Sequence, residues 1–104
     1  MPDAAPRRTH DLKCWRPFWE DVAEGYKSFE IRRNDRDYMT GDVLHLREWW
    51  DDRQEYTGRE CCVRVKYILY GSDQLAKVCG LHQGYVAMGI EPVVNDQAAG
   101  RCGR

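Results

Sequence analysis

The sequence predicts a small α+β domain, a β-barrel of about five strands with one or two short helices attached. Three observations lead to this fold class: several short runs alternate apolar and polar residues, glycines stand between those runs, and one amphipathic helical segment lies early in the chain. With 104 residues, the chain is long enough for one domain with a single modest core.

The chain opens with a predicted lead-in and a first strand. Residues 1–8 are rich in Pro, Ala and Arg and lack periodicity, so we expect a flexible segment, and we place the domain at residues 9–91. Residues 10–15 alternate as a strand does, which puts Leu12 and Cys14 on the buried face. The opposite face carries Asp11, Lys13 and Trp15.

A short helix is predicted to follow the first strand. Pro17 suits the first turn of a helix, where its missing N–H costs nothing, and Gly25 suits a left-handed C-terminal cap. The apolar residues between them form a stripe that we expect to face the core: Phe18, Trp19, Val22 and Ala23.

The second strand, at residues 28–32, carries the most informative pattern. Phe29 and Ile31 alternate with Ser28, Glu30 and Arg32, so we expect the two apolar side chains to be buried and the three polar ones to face the other way. A polar loop follows at residues 33–40.

Two longer strands are predicted next. Residues 43–49 should point Leu44 and Leu46 inward, and residues 51–58 are polar enough for a hairpin connection. Residues 59–70 form the longest β-run, with one face made by Val63, Val65, Tyr67 and Leu69.

The last predicted elements are a short helix within residues 72–79 and a strand at residues 85–90. We expect a disordered tail at residues 92–104, because apolar periodicity is lost there.

Charge and cysteine content limit the function. The formal net charge is -1, so no global positive field attracts nucleic acid, and any such contact must be local. The five cysteines form an odd set with no apolar signal segment ahead of them, which favours the cytoplasm and reduced thiols. No apolar run approaches the ~20 residues of a membrane span, so we expect a soluble protein without a membrane partner.

We expect neither a metal nor a cofactor. Cys79 and His82 have a C-x-x-H spacing that could supply two zinc ligands, but no second pair accompanies them.

The candidate site is the polar row of the second strand with its neighbours. Side chains on one face of a strand lie about 7 Å apart, which lets a carboxylate and a guanidinium hold one small polar ligand from two sides. The competing interpretation is an internal ion pair that only rigidifies a loop. The candidate ligand-binding residues are Lys13, Lys27, Glu30, Arg32, Asn34, Asp35 and Arg36.

The order of several motifs resembles the ASCH domain, a relative of the PUA domain of RNA-modifying proteins. These motifs are His10-Asp11-Leu12-Lys13, a helix, Gly25-x-Lys27-x-x-Glu30-x-Arg32, and Gly41-Asp42 before a hydrophobic strand. More narrowly, residues 29–32, 34–37, 56–59 and 84–86 resemble a small bacterial and phage domain of unknown function, numbered 3850. The resemblance covers residues 9–91.

The resemblance implies a PUA-like barrel whose G-x-K-x-x-E-x-R strand lines a cleft for RNA or a nucleotide-like molecule. One ASCH branch is an amidohydrolase that acts on a modified nucleoside with a lysine, a threonine and a glutamate. Lys27 matches that lysine, and Glu30 stands at the threonine position.

Three functions follow as hypotheses. In a binding module, Lys27 and Arg32 contact phosphate or a base edge, Glu30 accepts from an exocyclic amine, and an aromatic such as Trp49, Trp50 or Tyr38 stacks on the base. The partner is then RNA or a nucleotide-like molecule, and a monomer is slightly favoured.

The second hypothesis is a hydrolase acting on modified nucleosides or RNA, either an amidohydrolase or a ribonuclease, with Lys27 and Glu30 as its catalytic residues. Glu30 is then the base, Lys27 or Arg32 the electrostatic stabiliser, and Asp35 or His10 an assisting group. The third hypothesis is a phage-type protein-interaction module, which an exposed apolar patch would favour.

Overall fold

A computed structural model describes residues 8–93 of the chain, as one curled sheet that forms a half-barrel, with two short helices. This confirms a small α+β domain with five strands. The elements are β1 (Thr9–Trp15), α1 (Arg16–Ala23), β2 (Phe29–Arg33), β3 (Val43–Trp50), β4 (Glu55–Tyr70), α2 (Gln74–Val78) and β5 (Tyr85–Pro92). The predicted lead-in and tail lie outside the described residues, except for Arg8, Pro92 and Val93.

The strand order β1-β3-β4-β5-β2 makes β1 and β2 the two edges of the sheet. β1 pairs with β3 in parallel, and all other pairs are antiparallel. Two arginines, one on β2 and one in the loop after it, reach across to main-chain oxygens of β1: Arg32 Nη2 to Lys13 at 2.8 Å and Arg36 Nη1 to Asp11 at 3.3 Å. Side chains therefore bridge the two edges, and we call this gap the seam.

The core lies inside the curl of the sheet, where α1 covers β1 and β3. Trp19 is buried, and its indole N–H donates to the main-chain oxygen of Leu46 at 2.9 Å, which pins α1 to β3. The predicted inward residues of β1 and β3 are confirmed as buried: Leu12, Cys14, Leu44 and Leu46. The sequence pattern was sufficient here because both strands alternate without interruption up to Arg47.

A bulge changes the alternation in β4. The register with β5 shifts between Val65 and Tyr67, so one extra residue reverses the two faces. Tyr67 is consequently exposed, and Ile68 packs against the core instead. The predicted shared face of Val63, Val65, Tyr67 and Leu69 is therefore wrong beyond Val65.

The predicted orientation of β2 is wrong. Phe29 and Ile31 are exposed, whereas Glu30 is only 4% exposed. The cause is the pairing with β5, which sets Glu30 opposite Met88 and Arg32 opposite Val86, both fully buried. Residues directly opposite each other share a face of the sheet, so Glu30 and Arg32 point into the curl.

The helices also depart from the predicted patterns. Phe18 of α1 is half-exposed and does not join the core. In α2 only Ala76 is buried, while Leu75 and Val78 are exposed, and the carboxylate of Asp73 caps the helix by accepting from the Leu75 N–H at 2.9 Å. Neither helix within residues 8–93 has the length and apolar character needed to cross a membrane.

Candidate functional site

An open cleft of about 490 Å³ lies at the seam, bordered by β1, the first turn of α1 and β2. Its polar groups come from the segment just before β2 and from the inward face of β2. Lys27, Glu30 and Arg32 meet there, and we call these three residues the triad. The sequence predicted this grouping, although it predicted the wrong face of β2.

Glu30 stands at the centre of the triad. Its Oε2 atom accepts from Lys27 Nζ at 3.1 Å and its Oε1 atom from Arg32 Nε at 2.9 Å, so each carboxylate oxygen faces one cation. A carboxylate with so little solvent exposure is tolerated only when it is paired and hydrogen-bonded. The two cations satisfy that requirement and leave the triad with a formal charge of +1.

The two cations keep unused donors. Lys27 Nζ also donates to the main-chain oxygen of Phe29 at 2.8 Å, which leaves one of its three N–H groups without an acceptor among residues 8–93. Arg32 uses Nε and one Nη2 hydrogen, so three of its five N–H groups likewise have no acceptor in that part of the chain. The triad can therefore bind a ligand rich in acceptors.

Aromatic side chains form the walls of the cleft. Trp15, Phe18 and Phe29 line it, and each is about half-exposed. The ammonium group of Lys27 lies 4.6 Å from the ring centre of Phe29 and 5.5 Å from that of Phe18, within the range of cation–π attraction. The cleft therefore has flat aromatic walls and, next to them, the positively charged triad.

A buried thiol also borders the cleft. Burial and, to a smaller extent, the negative charge of Glu30 together raise the pKa of Cys14 to about 12, against the opposing charges of Arg32 and Lys27. The thiol is protonated at neutral pH, and a protonated thiol is a poor nucleophile.

The other predicted ligand residues do not join the triad. Lys13 borders the cleft, but its ammonium group lies over the ring of Trp49 at 3.9 Å, and only its main-chain oxygen contacts Arg32. Arg36 is engaged with the main chain of β1.

The loop after β2 has a structural role. Asn34 Oδ1 accepts from the Tyr38 N–H at 3.1 Å and so shapes this loop. The side chain of Asp35 makes no hydrogen bond or ion pair within the described residues.

Two further residues with a predicted functional role, Tyr38 and His10, are buried in the core. Tyr38 is 2% exposed and meets the His10 ring edge-on at 4.8 Å, so the prediction that Tyr38 could stack on a base is wrong. His10 Nε2 lies 2.8 Å from Asp42 Oδ2. Burial raises the pKa of Asp42, but the bonds from His10 and the Met39 N–H and the charge of Arg8 outweigh it and hold the pKa below its ordinary value.

Sequence reasoning missed the aromatic walls. Trp15 is the last residue of β1 and Phe18 lies in the first turn of α1, and each was assigned only to a face of its own element. The available signal was three aromatic residues, Trp15, Phe18 and Trp19, around a strand-to-helix junction, which cannot all face one core. As for metals, no group of three His, Cys, Asp or Glu side chains of residues 8–93 is arranged to hold a metal ion.

Comparison with known proteins adds two findings. A family model described as a domain of unknown function, DUF3850, matches residues 9–90. The chain is also 34% identical over 76 residues to an uncharacterized 12.9 kDa protein in the GpA 3' region of Escherichia phage P2, a match that covers 73% of this chain and 68% of the phage protein. The region matched by the family model contains every residue of the cleft.

Proposed function

The chain belongs to the DUF3850 family, and we propose that it is a binding module for a nucleotide or for single-stranded RNA, which it holds in the cleft at the seam. The observation that carries this proposal is the triad: a buried carboxylate paired with two cations that keep unused donors, in a cleft lined by three half-exposed aromatic rings. We further propose that the half-barrel is of the PUA-like kind, in line with the order of the ASCH-like motifs.

The ligand chemistry follows from the donors and the walls. Phosphate and carbonyl oxygens suit the free N–H groups of Arg32 and Lys27, because guanidinium and ammonium groups are donors only. A nucleobase suits the rings of Trp15, Phe18 and Phe29, since stacking on an aromatic side chain is available to every base. Nucleotides supply both features within one small molecule.

Glu30 adds a preference among bases. Each carboxylate oxygen has two lone-pair sites, and one hydrogen bond is made to each oxygen, so an acceptor site remains on both. An exocyclic amine, as in cytosine, adenine or guanine, can donate to such a site, whereas uracil has none to offer. We therefore expect cytidine, adenosine and guanosine nucleotides to bind more tightly than uridine nucleotides.

Binding is better supported than hydrolysis. A general base must take up a proton, which an ion-paired carboxylate does only by giving up that pair, and a nucleophile needs a free amine or thiolate. Glu30 binds a cation at each oxygen, the amine of Lys27 is held by Glu30 and the Phe29 carbonyl, and the Cys14 thiol is protonated. The amidohydrolase hypothesis has no observation in its favour beyond the match at Lys27.

The test is calorimetric titration with CMP, AMP, GMP and UMP and with a single-stranded hexaribonucleotide. Lys27→Met and Arg32→Ala should each weaken binding at least about tenfold, the size expected when a charged hydrogen bond is lost. Arg33→Ala is the matched control, because Arg33 is the next residue and its guanidinium lies 5.4 Å from the ring of Tyr85 on the outer face.

Absence of binding by the unaltered protein would refute the proposal. An equal loss of affinity in Arg32→Ala and Arg33→Ala would show that general charge, and not the cleft, attracts the ligand. Circular dichroism of each variant establishes that the sheet is intact.

A further inference from the structure

The outer face of the sheet differs between its two halves. On β1 and β3 most of the residues that alternate with the buried ones are charged or polar, as is usual for a sheet face in water: Asp11, Lys13, His45 and Arg47. On β2, β5 and β4, by contrast, two rows of directly paired residues are apolar or glycine. These rows are Ile31–Ala87–Leu69 and Phe29–Gly89–Tyr67, and we call their six residues the outer patch.

The outer patch faces away from the core. Its residues alternate with the buried ones along β2 and β5, and Ile31 and Tyr67 are 56% and 65% exposed. A pocket of about 410 Å³ continues the apolar surface from Ile31 to Leu81 and Tyr85. Contiguous exposed apolar surface of this kind marks an interaction site.

The shape of the outer patch is complementary to itself. The small residues Ala87 and Gly89 on β5 form a groove, and the large side chains of β2 and β4 form a ridge on each side of it. Neighbouring strands lie about 4.8 Å apart, so the two ridges are about 10 Å apart. A twofold axis brings the same patch of two copies together, so that patch must supply both shapes. One ridge of each copy can lie in the groove of the other.

Charges at the border of the patch oppose this contact weakly. Arg33 lies at one end of the patch, and the Lys66 stem lies beside Gly89, with Cε 3.8 Å from where a Cβ atom would be. Neither cation has an ion pair among residues 8–93. In the next row Arg64 stands opposite Glu91, and their charges cancel. The remaining two positive charges are exposed, so salt screens their repulsion.

We infer that the outer patch is the contact surface of a reversible homodimer, in which two copies pack sheet face to sheet face around a twofold axis. The five residues of β2 span about 17 Å and the three strands about 10 Å, so the patch is smaller than the ~800 Å² per partner of a stable interface. We therefore expect a dissociation constant on the order of 10–100 µM. The inference is independent of the proposed function, because Tyr67 and Leu69 lie outside the cleft.

The test is sedimentation velocity over about two decades of protein concentration around that value. The unaltered protein is compared with Ile31→Thr/Tyr67→Ser, which replaces one large side chain on each ridge. Met39→Ser/Leu75→Ser is the matched control, because these two apolar residues are 53% and 72% exposed but lie outside the patch. Circular dichroism establishes that each variant keeps its sheet.

We expect Ile31→Thr/Tyr67→Ser to raise the dissociation constant of the dimer at least about tenfold, and the control to change it by less than about twofold. Lys66→Ala should lower the dissociation constant, because it removes a like charge and uncovers Gly89. Raising the salt concentration should also lower it, since the positive charges at the border are then screened.

A monomer at every concentration would overturn the inference. So would a dimer that Ile31→Thr/Tyr67→Ser leaves intact, or one that both double variants weaken equally, because general hydrophobicity would then explain the association. A dimer that salt and Lys66→Ala both weaken would show that opposite charges hold the two copies together through a different surface. In each of these cases nucleotide binding in the cleft is tested separately and can still stand.

Discussion

The guanidinium of Arg32 donates to the main-chain oxygen of Lys13 at 2.8 Å, across the gap between the two edge strands. The same group donates to Glu30 at 2.9 Å, so one side chain both orders the triad and bridges the seam. An edge strand exposes unpaired main-chain groups that favour association, and here arginine side chains occupy two of the acceptors on β1. The side chain that orders the proposed binding site therefore also bridges the two edges of the sheet.

The first prediction concerns Glu30. Glu30→Gln removes the only carboxylate that pairs with Lys27 and Arg32 within residues 8–93, and leaves two like charges close together. Breaking a buried ion pair costs about 3–5 kcal/mol, and because both cations are about one-fifth exposed we expect a loss of about 2–3 kcal/mol in the free energy of unfolding. Denaturant unfolding at pH 7 measures it.

Glu91→Gln is the control for that experiment. Glu91 also lies on a strand of the sheet, but it is exposed and its side chain has no hydrogen bond or ion pair among the described residues. It should change stability by less than about 0.5 kcal/mol. Equal effects of the two substitutions would contradict the structural role of the triad.

The second prediction concerns stability in acid. Hydrogen bonds from Arg59 hold the pKa of Glu48 below its ordinary value against the effect of burial, with help from the Thr57 hydroxyl, and the pKa of Asp42 is also lowered. A carboxyl whose folded pKa lies below its unfolded value stabilises the fold above the unfolded pKa, about 4. That stability is lost as the pH falls through the folded pKa.

Asp42→Asn and Glu48→Gln should each lower stability at pH 7 and flatten the decline below about pH 4. The measurement is the free energy of unfolding at pH values from 7 down to 2. Asp52→Asn serves for comparison, since Asp52 is exposed, and its curve should follow that of the unaltered protein. Parallel acid declines in all four proteins would argue against these two carboxyls as the source.

The third prediction concerns thiol reactivity. Burial raises the pKa of Cys14 to about 12 and that of Cys61 to about 11, in both cases with a further contribution from the charge of Glu30, whereas Cys79 is exposed. Iodoacetamide at pH 8 should modify Cys79 first and Cys14 only when the protein unfolds, because the thiolate is the reactive form. Mass spectrometry of the digested protein resolves the sites, and rapid modification of native Cys14 would contradict its burial.

The fourth prediction concerns Gly71, which follows β4. A Cβ atom there would lie 1.9 Å from the main-chain oxygen of His82 and 2.9 Å from that of Tyr85, and main-chain atoms cannot move aside cheaply. We expect Gly71→Ala to cost more than about 3 kcal/mol or to prevent folding. Thermal unfolding followed by circular dichroism measures this.

Gly89→Ala provides the contrast for Gly71. Gly89 lies within β5, and a Cβ atom there meets nothing closer than the Tyr67 side chain at 3.7 Å, an ordinary contact. Replacing it should be neutral or stabilising by about 0.5 kcal/mol, because alanine loses less backbone entropy on folding. If Gly71→Ala folded as well as Gly89→Ala, the close approach at the end of β4 would be disproved.

The local sequence pattern was sufficient to predict much of the secondary structure and part of the core. The alternation in β1 and β3 assigned Leu12, Leu44 and Leu46 to the core, and all three are buried. Gly25 was recognised as a helix cap and has a φ of 89°, which favours glycine. The spacing of Lys27, Glu30 and Arg32 grouped them, since two same-face residues of a strand and a residue two positions before that strand are close in any fold.

By itself, then, the sequence determined the strand and helix order, two faces for each strand, and a local grouping of charges. Only the tertiary structure decided which face of β2 is inside, because that depends on pairing with Met88 and Val86, more than 50 residues away. Distant pairing likewise placed Trp15 and Phe18 in the same cleft as the triad and brought Arg36 to the main chain of β1. Alternation shows that a strand has two different faces, but not which of them is buried. Burial of the Glu30 carboxylate is favourable only because the packed structure keeps Lys27 and Arg32 beside it.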